Sequence, residues 1–127
     1  EYEVARPGEP AQEVRDRLVR SGISEAQLID AEERYLGTIT LNVLLSALAD
    51  DPDGTVDRLP SSDHALLRAD MSVLTALRHA ESDDSGILPV VESAQSDRLV
   101  GVIAQSTIVR AYRETLGSLR REEHAAP

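Results

Sequence analysis

The feature that most constrains this chain is an internal repeat, because two segments carry the same order of sequence signals. Each segment has an amphipathic helix, a short apolar strand, a polar turn, a strand containing glycine, and a second helix. The strands are residues 26–30 and 34–39 in the first segment, and residues 88–92 and 98–103 in the second. Such a repeat indicates two copies of one supersecondary unit. We therefore expect an α+β fold of two β-α-β-β-α units with pseudo-twofold symmetry.

Four helices follow from the apolar periodicity. Pro10 suits the start of the first helix and Gly22 suits its end. In the second unit we expect Asp70 to be the N-cap of a helix that ends before the polar run 82–86. The predicted ranges are 11–20, 41–49, 71–81 and 106–119.

A run rich in Asp, Pro and Gly at residues 49–54 separates the two units. After it, residues 55–60 are predicted to form a short strand that leads into the second unit. The sequence thus divides into a first motif at 1–52, a second motif at 53–119 and a polar tail at 120–127.

Composition excludes several classes of function. The chain has 13 basic residues, all arginine, against 23 acidic ones, a net charge of −10. That charge argues against binding nucleic acid or inserting at an anionic lipid surface, both of which need cationic side chains. The absence of cysteine excludes disulfides and thiol chemistry. The longest apolar stretch, residues 35–48, is shorter than the roughly 20 residues of a membrane helix.

The strand sequences of both units resemble those of a known family. The second unit has Leu-Pro-Val-Val at 88–91 followed by Arg-Leu-Val-Gly-Val-Ile at 98–103, and the first unit repeats this pattern at 28–30 and 35–40. Over about residues 4–119 the chain resembles a tandem pair of CBS motifs, often called a Bateman module. The resemblance implies a regulatory, non-enzymatic module whose clefts between the motifs commonly hold adenine nucleotides.

A narrower resemblance concerns the protein that carries the pair. Residues 37–41, 111–113 and 120–124 are similar to the cytoplasmic C-terminal regions of bacterial CLC-type chloride channels and chloride/proton antiporters. Because the chain does not begin with Met, we expect it to be a piece of such a protein. The resemblance implies a soluble domain on the cytoplasmic side of the inner membrane, joined to the membrane transport domain and supporting dimer assembly or gating.

Two alternatives to the transporter interpretation stay open. One is an adenine-nucleotide-sensing module of a soluble enzyme, and the other is a free-standing CBS scaffold protein. In each case the resemblance implies that CBS helices pair two chains into a homodimer. The last predicted helix carries an apolar face suited to this contact, formed by Ile108, Val109, Tyr112, Leu116 and Leu119.

The family's nucleotide pattern is incomplete in both units. It consists of Gly, two apolar residues, Ser or Thr, two variable residues, and an Asp that binds ribose. The first unit keeps Thr40 but has Val43 in place of Asp, and the second has Ala104 and Thr107. Losing a charge-assisted hydrogen bond costs about 1.5–3 kcal/mol, or about ten- to a hundredfold in affinity. We therefore expect ATP, ADP or AMP to bind weakly at best.

The resemblance also implies which residues would contact a bound nucleotide. In the first unit Thr40 would contact phosphate, with Asn42 as a substitute for the missing Asp; helix capping is the alternative role for Thr40 and Thr107. In the second unit, which is the better candidate, the base would be lined by apolar residues and ribose would meet a hydroxyl. These second-unit residues are Ile87, Leu88, Pro89 and Val90 for the base, and Ser106 or Thr107 for ribose.

No catalytic or metal site is predicted. His64, His79 and His124 lack any ligand spacing, and the acidic runs 50–53 and 83–84 lack the alternating ligands of a calcium loop. Residues 61–64 include Ser, Asp and His, but they are neighbours on one short loop without an oxyanion elbow. We therefore expect no enzyme activity from this chain.

Overall fold

The computed structural model describes residues 2–61, 66–81 and 86–125, with side chains described up to residue 119. The first unit contains β1 (Glu3–Ala5), α1 (Ala11–Ser21), β2 (Glu25–Ile29), β3 (Tyr35–Thr40) and α2 (Leu41–Asp50). A 3-10 helix (Val56–Arg58) follows. The second unit contains β4 (Leu67–Arg68), α3 (Val73–Glu81), β5 (Ile87–Ser93), β6 (Ser96–Ala104) and α4 (Gln105–Ala125). The predicted β-α-β-β-α order is confirmed in both units.

The two units have the same sheet topology and the same register. In each sheet the first strand runs parallel to the second, and the second pairs antiparallel with the third. Leu28 lies opposite Gly37 in the first unit, and Val90 lies opposite Gly101 in the second. An irregularity in the pairing follows directly after Leu28 and after Val90. The predicted alignment of the strands is therefore confirmed, and residues of the first unit up to β2 match those 62 positions later.

Each unit has a helix-facing core of small aliphatic side chains. Helix α1 packs on α2 and α3 packs on α4, so each sheet has two helices on one face. The core of the first unit is Ala5, Ala11, Val14, Leu18, Ala26, Leu28, Ile39, Leu44, Leu48 and Val56. The core of the second is Leu67, Ala80, Leu88 and Ile108. Burial of these apolar side chains is the main stabilising term in both units.

The opposite face of each sheet is also buried. Gln27, Thr38, Pro89 and Val91 are each 2% exposed or less. They alternate along the strands with the residues that face the helices, so they point to the other side. Strands β3 and β6 contact each other. We infer that the two sheets cover each other through these second faces.

The segment after the first unit is not the predicted strand. Val56–Arg58 forms a 3-10 helix, and the short strand that opens the second unit is Leu67–Arg68. The Val56 N–H donates to the Glu9 carbonyl over 3.0 Å, and the Asp57 N–H donates to the Pro7 carbonyl over 3.1 Å. The segment therefore turns back onto the first unit, where Val56 is fully buried.

Two helix boundaries also differ from the prediction. Helix α3 begins at Val73 because a turn closed by the Met71 N–H and the Arg68 carbonyl delays it. The Ser72 hydroxyl, rather than Asp70, accepts the Thr75 N–H at 3.2 Å as the cap. Helix α4 continues to Ala125, beyond the predicted end at residue 119, so most of the polar tail is helical backbone.

Candidate functional site

Each unit brings the start of its second strand against the start of its closing helix. In the first unit the Leu41 N–H donates to the Ser24 carbonyl over 2.8 Å. In the second unit the Gln105 N–H donates to the Gly86 carbonyl over 2.7 Å. The register makes these two bonds equivalent. The molecule thus has two equivalent candidate sites, one in each unit, where the predicted nucleotide-contacting residues can meet.

In the first unit this place is a cavity of about 230 Å³. It is lined by Ser24, Glu25, Thr40, Leu41 and Asn42. The structure therefore brings the predicted Thr40 and Asn42 together. The Thr40 hydroxyl accepts the Val43 N–H at 3.2 Å and caps α2, so part of its hydrogen-bonding capacity is used by the helix.

The electrostatics of the first-unit cavity disfavour a phosphate. Glu25 supplies a carboxylate to its lining, and the residues that line it include no basic side chain. Like charges in a partly buried place repel each other strongly because water screens them poorly there. A nucleotide phosphate in this cavity would lie beside that carboxylate, and none of the five lining residues would give the phosphate a positive charge.

The second unit places neutral residues at the same positions. Strand pairing aligns Ile87 with Glu25 and Ala104 with Thr40, and Gln105 and Ser106 open the helix that follows. The Gln105 side-chain amide donates to the Ala80 carbonyl over 3.2 Å, which ties α4 to the end of α3. This place offers apolar surface from Ile87 and a hydroxyl from Ser106.

The remaining predicted residues lie elsewhere. Leu88 and Pro89 are buried with less than 2% exposure, so neither presents a surface to a ligand in this structure. Val90 lines a cavity on the helix side of its sheet. Thr107 is the third residue of α4, and Val43 is the third residue of α2. These positions match, as the repeat predicts, and both hold residues other than Asp.

Sequence reasoning missed Glu25 and Ser24. The resemblance implies Ile87 as a base-lining residue, and the alignment of the two units places Glu25 at the same position of the first unit, 62 residues earlier. The signal was therefore present in the repeat. A carboxylate where the other unit has isoleucine is what distinguishes the two places.

Neither a metal centre nor a membrane helix is found in the described part of the chain. Residues 2–61, 66–81 and 86–119 contain no group of three or more His, Asp or Glu side chains arranged to hold a metal ion. Among the described helices, none has the length and apolarity that crossing a membrane requires. The sequence runs 62–64 and 83–84 and the side chain of His124 lie outside the described residues.

Comparison with known proteins identifies both halves of the chain. The model of the CBS domain matches residues 1–50 and 56–114. No curated protein matches the sequence. Solved structures of low sequence identity share the fold.

The CBS pair domain of a putative Mg²⁺ transporter from Shewanella oneidensis is 20% identical, with a TM-score of 0.75 over 91% of this chain and 67% of that one. A CBS domain pair/ACT domain protein from Thermotoga maritima is 21% identical, with a TM-score of 0.74 over 91% and 92%. CBSX2, a CBS-pair protein of Arabidopsis thaliana, is 22% identical in its complex with AMP, with a TM-score of 0.68 over 90% and 89%.

Proposed function

The chain belongs to the CBS-domain family, and on that premise we propose that it is a regulatory, non-catalytic CBS pair that binds an adenine nucleotide weakly in its second unit. The observation that carries this proposal is the difference between the two equivalent places. The first is lined by the Glu25 carboxylate, and the second has Ile87 at that position.

The second unit supports binding of a nucleoside better than binding of phosphate. Ile87 gives apolar surface for a base, and Ser106, in the first turn of α4, gives a hydroxyl for ribose. The structure of CBSX2 with AMP supports an adenine nucleotide as the ligand class. Because the Asp carboxylate that binds ribose in the family is missing, we expect a Kd weaker than about 10 μM, which corresponds to less than about 7 kcal/mol of binding free energy.

Calorimetric titration of the chain with AMP, ADP and ATP tests this proposal. We expect weak binding, with AMP bound at least as well as ATP because the chain carries a net charge of −10. An Ile87→Glu variant, which copies the first unit, should lose the remaining affinity. Binding tighter than about 10 μM, or affinity that survives Ile87→Glu and is lost in Glu25→Gln, would reject the assignment.

For the parent protein, we propose the cytoplasmic region of a bacterial CLC-type chloride channel or antiporter. The support is the sequence similarity at residues 37–41, 111–113 and 120–124. The soluble-enzyme alternative draws its support from the AMP-bound CBSX2 structure. Sequencing the coding region upstream of Glu1 separates the two, because about ten apolar spans of roughly 20 residues each belong to a transporter.

We also propose that two copies pair through their helices. Ile108 of the predicted apolar face is part of the core, whereas Leu119 is 51% exposed and Leu45 of α2 is 48% exposed. Such a dimer would couple the conformation of the pair to its parent, with coupling energies of about 1–3 kcal/mol. Light scattering that shows only monomer at about 100 μM would contradict this pairing, because the free energy of dimerisation would then be weaker than about −5 kcal/mol.

A further inference from the structure

The second unit contains an apolar cavity of about 220 Å³ on the helix side of its sheet. It lies away from the place formed by Ile87 and Ser106. Its lining includes Met71 before α3, Ala76 on α3, Val90 on β5 and Ile108 on α4. A cavity of this size beside a core forfeits the dispersion contacts that a filled core would make.

The equivalent position in the first unit is filled. The register offset of 62 residues matches Ala69, Met71 and Val73 with Pro7, Glu9 and Ala11. There Thr55 is extended and leads into the 3-10 helix Val56–Arg58, and Val56 is fully buried in the first-unit core. The segment 54–57 is held by backbone bonds from Val56 to Glu9, from Asp57 to Pro7 and from Ala11 to Gly54, at 2.9–3.1 Å.

The two units differ in how the chain leaves the closing helix. After α2 ends at Asp50, the chain turns back through Gly54 and covers the core. Helix α4 instead continues to Ala125, so no counterpart of Val56 follows it within the described residues. The cavity is therefore the place that a returning segment occupies in the first unit.

We propose that this cavity is the docking site of a polypeptide segment with a branched aliphatic side chain, the counterpart of residues 54–57. Its N–H groups would donate to the carbonyls of Met71 and Ala69, as those of Val56 and Asp57 do to Glu9 and Pro7. The pseudo-twofold symmetry of the two units indicates which part of the chain supplies this segment. Because residues 54–57 precede the second unit and cover the first, their counterpart precedes the first unit and covers the second.

The experiment adds this counterpart to the 127-residue chain. A copy of residues 53–62 is fused directly ahead of Glu1, which places its valine 62 positions before Val56. We expect the Tm to rise by about 3–6 °C, the scale of burying one aliphatic side chain in a domain of this size. The matched control is the same extension carrying Val56→Asp in the copied sequence, which should give no rise.

A local readout comes from Met71, because it is the sole methionine of the chain and lines the cavity. Its methyl resonance should shift in the extended chain and stay unchanged in the control. An Ala76→Leu variant, which fills the cavity, should abolish the gain in Tm from the extension.

Three results would overturn the proposal. The first is an equal change in Tm, or none, for the extension and its aspartate control. The second is an undiminished gain in the Ala76→Leu background, which would locate docking elsewhere. The third is a Met71 resonance that shifts with concentration in the unextended chain while the extension has no effect, because the occupant would then be a second copy.

Discussion

The backbone N–H of Leu99 donates to the carbonyl of Glu33 over 2.9 Å, and this bond joins the second unit to the turn of the first. Glu33 has a left-handed backbone with a φ of 64°, and its own N–H donates to the Asp30 carbonyl. The Asp30 carboxylate also accepts the N–H groups of Glu32 and Arg34 at 2.9 Å. A turn organised in this way presents the Glu33 carbonyl in a fixed direction.

Replacing Glu33 separates the backbone role of this turn from its charge. Glu33→Pro should lower the free energy of unfolding by about 3 kcal/mol or more, because proline fixes φ near −65° and removes the N–H. Glu33→Gly should stay within about 1 kcal/mol, because glycine accepts a positive φ. Glu33→Gln tests the 4.0 Å ion pair with Arg98, which is exposed and contributes little. Equal losses for Pro and Gly in urea unfolding would contradict this role.

A buried polar chain lies on the second face of the first sheet. The Thr38 hydroxyl donates to the side-chain amide oxygen Oε1 of Gln27 over 2.9 Å, and Tyr35 Oη lies 2.6 Å from the same hydroxyl. Thr38→Val should cost about 1–3 kcal/mol in urea unfolding because buried polar atoms lose their partner. Tyr35→Phe, at the less buried end, should cost about 0.5–1.5 kcal/mol. A larger loss for Tyr35→Phe than for Thr38→Val would show that this order is wrong.

Val56 is expected to act as a core residue of the first unit although it lies outside the repeat elements. Val56→Ala removes buried methyl groups and leaves a cavity, so the free energy of unfolding should fall by about 2–3 kcal/mol. Val19→Ala is the matched control, because Val19 is 62% exposed on α1 and should change stability by less than about 0.5 kcal/mol. If Val56→Ala and Val19→Ala lower stability by similar amounts in thermal unfolding, residues 54–57 do not act as a cover of the first-unit core.

The strands and their pairing could be predicted because both units repeat the same local signals. The role of Val56 could not be predicted, because a short run with β-branched residues predicts a strand whether it joins a sheet or folds back onto a core. Asp70 and Ser72 are both good N-caps, and only the turn closed by Met71 and Arg68 decides between them. Glu25 was predictable from its alignment with Ile87, but its place in the cavity depends on the closing helix.

The pH dependence of stability should reflect the pair formed by Glu9 and Arg17. Partial burial acts to raise the pKa of Glu9, but hydrogen bonds from the Arg17 guanidinium and the Arg6 N–H outweigh it and hold this pKa below its ordinary value. A lowered carboxyl pKa stabilises the fold above the unfolded-state pKa, and this contribution is lost as pH falls through the folded-state pKa. Stability should therefore decline on acidification below about pH 4.5.

Replacing Arg17 tests this link. Arg17→Gln should cost up to about 1 kcal/mol near neutral pH, since both side chains are partly exposed, and the gap to the parent chain should narrow as Glu9 is protonated. Arg15→Gln is the control, because its pair with Asp16 at 3.0 Å is on the surface and should contribute little at any pH. A gap between Arg17→Gln and the parent chain that stays constant down to acid pH would show that Glu9 titration is not involved.

Introducing the Asp carboxylate that binds ribose in the family's pattern tests the difference between the two units most directly. Thr107→Asp places a carboxylate in the first turn of α4, where the helix dipole also favours a negative charge. In calorimetric titration it should strengthen AMP binding about ten- to a hundredfold, the scale of a charge-assisted hydrogen bond. Val43→Asp makes the same change in α2, but Glu25 lines that cavity, so its gain should be much smaller. Equal gains from both substitutions would mean that Glu25 does not set the difference, and no gain from Thr107→Asp would remove the second unit as the nucleotide site.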